Sequence, residues 1–159
     1  MSTGIGMIAL VAVGAITGVA HAQDQATRYL NPPTLPPATG YTHVVVAPDG
    51  RTVYVAGQIA LDSTGRLVGA GDFRAQAEQV YANLQRALAS VGGSLADLVK
   101  TTTFITDVAQ VALLREVRGR WLDAQRPPAN SLVPVATLAR ADLLIEIEAV
   151  AILRSPARP

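Results

Sequence analysis

The hydrophobic positions between residues 73 and 91 recur at helical spacing. Successive apolar residues are 4, 3, 4, 4 and 3 positions apart, which places them on one face of an α-helix. Asp72 precedes the run as an N-cap, and Gly92-Gly93 follows it as a C-terminal stop. The pattern therefore predicts a helix with one buried face, formed by Phe73, Ala77, Val80, Leu84, Leu88 and Val91.

A second apolar stripe follows Asp107, which we expect to cap another helix. Its inner face carries Val111, Leu114, Val117 and Trp121, and the helix is expected to end before Pro127-Pro128. Residues 98–106 lie between the two helices and are rich in Thr, Val, Phe and Ile, which indicates a strand. Residues 131–136 and 142–153 are predicted to form the two strands that close the domain.

The first part of the chain alternates short β-branched runs with turn residues. Residues 43–47 and 52–57 are predicted strands on either side of a Pro-Asp-Gly turn, and residues 66–68 form a further short strand. Two Pro-Pro pairs within residues 23–40 predict a loop-like segment, and residues 23–37 are assigned to an extended, proline-rich stretch.

The order of elements predicts an α+β fold, with a mixed sheet of about six strands and two helices packed on one face. In the last strand, Leu143, Ile145, Ile147, Ala149 and Ala151 share one parity, which suits the side covered by the helices. The other parity combines Glu146 and Glu148 with Val150 and Ile152. This mixture favours a face that is covered by other subunits and gathers polar groups at clefts.

Residues 1–22 differ in kind from the rest of the chain. An uncharged apolar run is followed by the small-x-small pattern Ala20-His21-Ala22, which predicts a signal peptide cleaved after Ala22 and a periplasmic or secreted protein. No Lys or Arg precedes the run, so an uncleaved membrane anchor or a mis-assigned start is the alternative. With cleavage, we expect no stable membrane association.

Composition narrows the classes of function. The chain has 159 residues, of which 50% are hydrophobic and 16% charged, with a net charge of +1 and no cysteine. Dispersed cations argue against nucleic acid as a partner, and the absence of cysteine excludes thiolate catalysis. No acidic or histidine cluster has metal-ligand spacing, so we expect neither a metal nor a cofactor.

Four segments resemble the RidA/YjgF family of small imine and enamine deaminases: Gly57-Gln58-Ile59, residues 100–107, Arg126-Pro127-Pro128-Ala129-Asn130-Ser131 and residues 145–151. The resemblance implies a RidA (chorismate-mutase-like) fold over residues 38–154. It also implies a homotrimer, with pockets for a small molecule between neighbouring subunits and no cofactor.

The resemblance also implies roles for individual residues. Glu146 matches the family glutamate that positions the attacking water, and Tyr41 matches a pocket tyrosine, so both are candidate catalytic residues. Asn130 stands where catalytic members have the arginine that binds the substrate carboxylate. Substrate contact is further expected from Gly57, Ser131 and Leu132.

The loss of the arginine leaves two hypotheses open. The chain is either a hydrolytic deaminase with an altered substrate range, or a non-catalytic trimer that binds a small metabolite. The usual 2-imino acids are expected to be poor substrates unless Arg126 or Arg140 reaches the pocket. His43 is either a replacement general base or a partly exposed strand histidine.

Overall fold

The computed structural model describes residues 26–154, and the predicted signal peptide lies outside them. The chain forms six strands and two α-helices: β1 (Arg28–Leu30), β2 (Val44–Val46), β3 (Arg51–Gln58), α1 (Phe73–Ala89), β4 (Leu98–Ile105), α2 (Val111–Trp121), β5 (Ala129–Pro134) and β6 (Ile145–Leu153). Single 3₁₀ turns precede β4 and α2. Within the described part of the chain, no helix is long and apolar enough to cross a membrane.

Four of the strands form a mixed sheet in the order β3-β6-β4-β5. The β4–β5 pair is parallel, and the β3–β6 and β6–β4 pairs are antiparallel. Helix α1 packs on β3 and β6 and lies beside α2. The predicted α+β class, with a mixed sheet and two helices, is therefore confirmed.

Two local predictions differ from the structure. Strands β1 and β2 pair with each other as a separate two-stranded sheet, so residues 28–30 form a strand inside the segment expected to be loop-like. Their partner, β2, is Val-Val-Val, whose strong β-propensity is satisfied by this pairing. Residues 66–68 form no strand. The Asp62 carboxylate accepts bonds from the Thr64 and Arg66 amides, which makes a tight turn closed by one Leu61–Leu67 bridge.

The caps and the core follow the sequence pattern. The Asp72 side chain accepts a hydrogen bond from the Ala75 amide at the start of α1. On β6, the odd-numbered positions between residues 145 and 153 are all buried against the helices, and the even-numbered positions are partly or fully exposed. The sheet thus has a helix-covered face and an open face, and side chains alternate between them.

Candidate active site

The segment that contains Tyr41 is hydrogen-bonded to the residues just before β5. Thr42 is only 2% exposed. Its hydroxyl donates to the Pro127 carbonyl at 2.7 Å, and its amide donates to the Pro128 carbonyl at 3.3 Å. Two hydrogen bonds from one buried residue fix the register between segments that are far apart in sequence. They bring Tyr41 beside Asn130.

Tyr41, Asn130 and Leu132 line one cleft of about 260 Å³ between β5, α2 and the loop before β2. We call it the α2 cleft; its remaining lining residues are Thr39, Val111, Leu114, Arg115 and Arg118. Three apolar side chains thus stand beside several polar and charged groups, which could orient a small polar molecule. The structure therefore brings together three of the predicted site residues.

Asn130 faces this cleft because of its position on β5. Asn130 and Leu132 are in register with Thr101 and Thr103 of β4, both of which are buried on the helix-covered face. Among the residues that the structure describes, the buried Asn130 amide oxygen accepts no hydrogen bond. A buried acceptor of this kind is unfavourable unless a bound molecule supplies a donor.

Two arginines of α2, Arg115 and Arg118, line the cleft, and sequence reasoning missed both. They follow the apolar residues Val111 and Leu114 by four positions each, so they flank the buried stripe of the helix. That spacing is the signal that could have identified them. Burial holds the pKa of Arg118 below its usual range; the nearby Tyr81 opposes this change, and the positive charge of Arg115 adds to it.

The two arginines proposed to compensate for Asn130 do not line the cleft. Arg126 donates to the Asp123 carboxylate at 3.2 Å, and Arg140 donates to Asp142 at 3.0 and 2.5 Å. Both pairs lie at the surface, where the carboxylates lie in the same short loops as the arginines. Neither arginine is therefore the missing cation of this cleft.

Glu146 and Gly57 meet on the open face of the sheet. A methyl group added at Gly57 would overlap the Glu146 carboxylate, so the absence of a side chain at Gly57 makes room for it. Glu146 is in register with Phe104 of β4, on the face opposite to Asn130. One chain therefore does not place Glu146 in the same cleft as Asn130.

Ser131 also lies on the open face. Its hydroxyl accepts a 2.7 Å hydrogen bond from the Lys100 ammonium group. Of the predicted substrate contacts, Leu132 and Asn130 thus line the α2 cleft, and Gly57 and Ser131 lie on the other side of the sheet.

His43 lies behind Tyr41 and does not line the α2 cleft. Its ring packs edge-on against Tyr41, with centroids 5.1 Å apart, and its Nε2 donates to the Pro36 carbonyl at 2.8 Å. These contacts hold the tyrosine ring from behind. They favour the structural interpretation of His43 over a role as general base.

Comparison with known proteins agrees with this architecture. A family model described as Endoribonuclease L-PSP matches residues 33–153. The chain is 38% identical over 119 residues to the RutC family protein slr0709 of Synechocystis, a match that covers 74% of this chain and 90% of that protein.

Two further relatives have names that state an activity. The 3-aminoacrylate deaminase RutC of Acinetobacter baylyi is 34% identical over 118 residues, with 74% of this chain and 90% of that protein covered. The human 2-iminobutanoate/2-iminopropanoate deaminase is 33% identical over 127 residues, with 79% and 89% covered.

A solved structure gives the same result for the fold. The Rid family protein YyfB of Yersinia pestis superposes with a TM-score of 0.74 at 39% identity, and the match covers 80% of this chain and 98% of that one. The family model spans most of the chain, and the relatives match over most of their own lengths. The chain belongs to the RidA/YjgF family.

Proposed function

We propose that the protein is a hydrolytic deaminase of a reactive imine or enamine, with a substrate range that differs from that of its relatives. The observation that carries the proposal is the convergence of Tyr41 and Asn130 on one cleft of small-molecule size. Family membership supports it, because relatives of similar length are named as imine and aminoacrylate deaminases.

The reaction adds water to the C=N carbon and releases ammonia, leaving a carbonyl compound. The Tyr41 ring stacks on the planar imine, and its hydroxyl hydrogen-bonds to the substrate. The Asn130 amide oxygen accepts an N–H of the imine, which supplies the donor that this buried atom otherwise lacks. Glu146 acts as the base that orients the attacking water. No step requires a cofactor.

The site is completed in a homotrimer, in which a neighbouring copy presents Glu146 to the cleft. Support comes from the sheet register, which puts Glu146 and Asn130 of one chain on opposite faces. The open face also exposes the ring of Tyr54, which is 80% accessible, beside Val150. An exposed aromatic ring next to an apolar side chain is typical of a surface that packs against another copy.

The decisive experiment is the decay of 2-iminopropanoate, generated in situ by an amino-acid oxidase, in the presence of the full chain. Because Asn130 is neutral, we expect the acceleration to be weaker than in relatives that have the arginine, and we expect Glu146→Gln to abolish it, because the substitution removes the base. Glu148→Gln is the matched control: it lies on the same strand and the same face, and it is exposed. Equal rates for the two variants would contradict the role of Glu146.

Mixing variants tests whether the site is shared between copies. Chains carrying Glu146→Gln retain an intact cleft, and chains carrying Asn130→Leu retain the glutamate. If each site uses two copies, dissociation and reassembly of the mixture restores turnover that neither variant has alone. Failure to recover activity in mixed trimers would place the whole site within one chain.

The second candidate function is a non-catalytic trimer that holds a small metabolite. It is favoured by the neutral Asn130 and by the separation of Glu146 from the α2 cleft within one chain. Saturable binding of a small molecule without accelerated imine decay is its expected result. RNA is disfavoured as a partner because the chain carries a net charge of only +1 and its cations are dispersed.

A further inference from the structure

Arg118 differs from the arginines that form ion pairs in the described part of the chain. Five arginines there pair with a carboxylate: Arg66, Arg74, Arg120, Arg126 and Arg140. Arg118 is partly buried, and within residues 26–154 it forms no ion pair and no hydrogen bond. A cation that is partly shielded from water and has no compensating anion is a good candidate for binding an anionic ligand.

The backbone around Arg118 is shaped to admit its guanidinium group. Gly40 has a φ of +73°, and a Cβ at this position would overlap the Arg118 Nη2 atom. The two hydrogen bonds of Thr42 hold this loop in place. Glycine at position 40 therefore lets the loop lie against the guanidinium group. Tyr41 and Asn130 line the same cleft as Arg118.

The charged side chains that line the cleft are all positive. Arg115 is one turn before Arg118 on α2 and also lines the cleft, and no carboxylate is among the lining residues. Like charges three positions apart on a helix repel each other. An anion placed between the two guanidinium groups would remove this repulsion and compensate for the burial of Arg118.

We propose that Arg118, assisted by Arg115, binds the carboxylate of the substrate and replaces the arginine that is absent at position 130. The inference rests on the proposed function and makes it more specific: the substrate is an anionic imine or enamine, held from α2 instead of β5. A guanidinium fits a carboxylate through two parallel hydrogen bonds, which an ammonium group or the Asn130 amide does not reproduce.

Binding of pyruvate, the product of 2-iminopropanoate hydrolysis, to the full chain tests this assignment by calorimetry. Pyruvamide has nearly the same shape but no charge, and we expect it to bind about 10-fold or more weakly. Arg118→Gln should weaken pyruvate binding by about 10- to 100-fold, should leave pyruvamide binding unchanged, and should thus abolish the preference. Arg118→Lys should recover part of it.

Arg126→Gln is the matched control, because Arg126 precedes β5 but pairs with Asp123 outside the cleft. We expect pyruvate affinity equal to that of the unmodified chain. A double variant provides a gain of function: Asn130→Arg in the Arg118→Gln background returns a guanidinium to the β5 wall, and it should restore preference for pyruvate over pyruvamide. A loss caused only by misfolding would not be rescued in this way.

The outcomes separate this inference from the proposed function. Turnover of 2-iminopropanoate that is insensitive to Arg118→Gln would keep the deaminase and overturn the anion site. Pyruvate binding that depends on Arg118, without any turnover, would keep the anion site and overturn the deaminase. Equal affinities for pyruvate and pyruvamide in the unmodified chain would overturn the assignment of Arg118.

Discussion

The two faces of the four-stranded sheet differ in how much of their environment one chain supplies. On the helix-covered face, Ile145 and Ile147 are fully buried by α1, α2 and their neighbours. On the open face, Glu148 and Lys100 line a cleft together with Val150, and Tyr54 is 80% exposed. The helix-covered face is part of a hydrophobic core that a single chain buries completely. The other has the mixture of apolar and ionisable groups that suits contact with another copy.

The proposed chemistry is divided in the same way. The groups that would hold a substrate, Asn130 and Arg118, belong to the helix-covered side, and the proposed base, Glu146, belongs to the open side. Substitutions in matched pairs, one on each face, therefore test the contrast between stability and assembly.

The largest effect on stability is expected from Ile147→Ala. Ile147 is 0% exposed, so the substitution leaves a cavity and should lower the free energy of unfolding by about 2–5 kcal/mol in urea titrations. Ile152→Ala is the control on the same strand, with the side chain on the open face. Its cost should be smaller in the dissociated chain and should rise with protein concentration if copies cover that face. Equal, concentration-independent costs would contradict the contrast.

Gly57→Ala is expected to have the next largest effect, this time on activity. The added methyl group overlaps the end of the flexible Glu146 side chain, so the carboxylate moves while the strand stays in place. A misplacement of about 1 Å can reduce turnover about 100-fold. Decay of 2-iminopropanoate and thermal unfolding, measured together, should show a slow but folded protein.

Gly119→Ala is the control for that substitution. Gly119 lies within α2, and nothing surrounds the position of the added methyl group. Alanine favours helix by about 0.5–1 kcal/mol over glycine, so this variant should be slightly more stable and equally active. If Gly57→Ala retained full activity, the contact between Gly57 and Glu146 would have no catalytic role.

Local patterns in the sequence were sufficient to predict the core. The Asp72 cap, the apolar stripe of α1 and the parity of β6 all depend on residues close together in the chain, and the structure agrees with these predictions. The exception is Val91, predicted as the last buried residue of the stripe, which follows the end of α1 and is exposed. The apolar stripe follows the 3.6-residue repeat of a helix, and the alternation in β6 follows the two-residue repeat of a strand. Tyr41 and Asn130 were predicted to share a pocket only through resemblance to a family.

Arg118 could not be predicted in the same way. Its place in the cleft depends on which loop covers that flank of α2. The covering loop is fixed by Thr42, which bonds to Pro127 across 85 positions of sequence. The β1–β2 pairing has a similar origin, because it joins Arg28–Leu30 to Val44–Val46 across a segment that contains two Pro-Pro pairs. The position of Arg118 in the cleft and the pairing of β1 with β2 both depend on contacts between separate segments of the chain. No local sequence pattern predicts such contacts.

The smallest effect is expected from the only lysine in the chain, Lys100. Burial on the open face lowers the pKa of its ammonium group, and the nearby Glu148 partly opposes the change. With the folded-state pKa below the unfolded-state value, the unfolded chain binds more protons just below the ordinary lysine pKa. As pH rises from the lowered pKa towards the ordinary lysine value, this group makes stability rise with pH.

Lys100→Met should remove this rise, and urea titrations of both proteins at neutral pH and just below the ordinary lysine pKa would measure it. Buried Tyr81 contributes the opposite slope, because burial raises its pKa and its stabilising effect is lost as pH increases. That contribution is common to the two proteins, so the difference between their pH profiles isolates Lys100. If the two pH profiles of stability differ more at high protein concentration, assembly buries the open face further. If the two profiles are identical, Lys100 is as well solvated in the folded chain as in the unfolded chain.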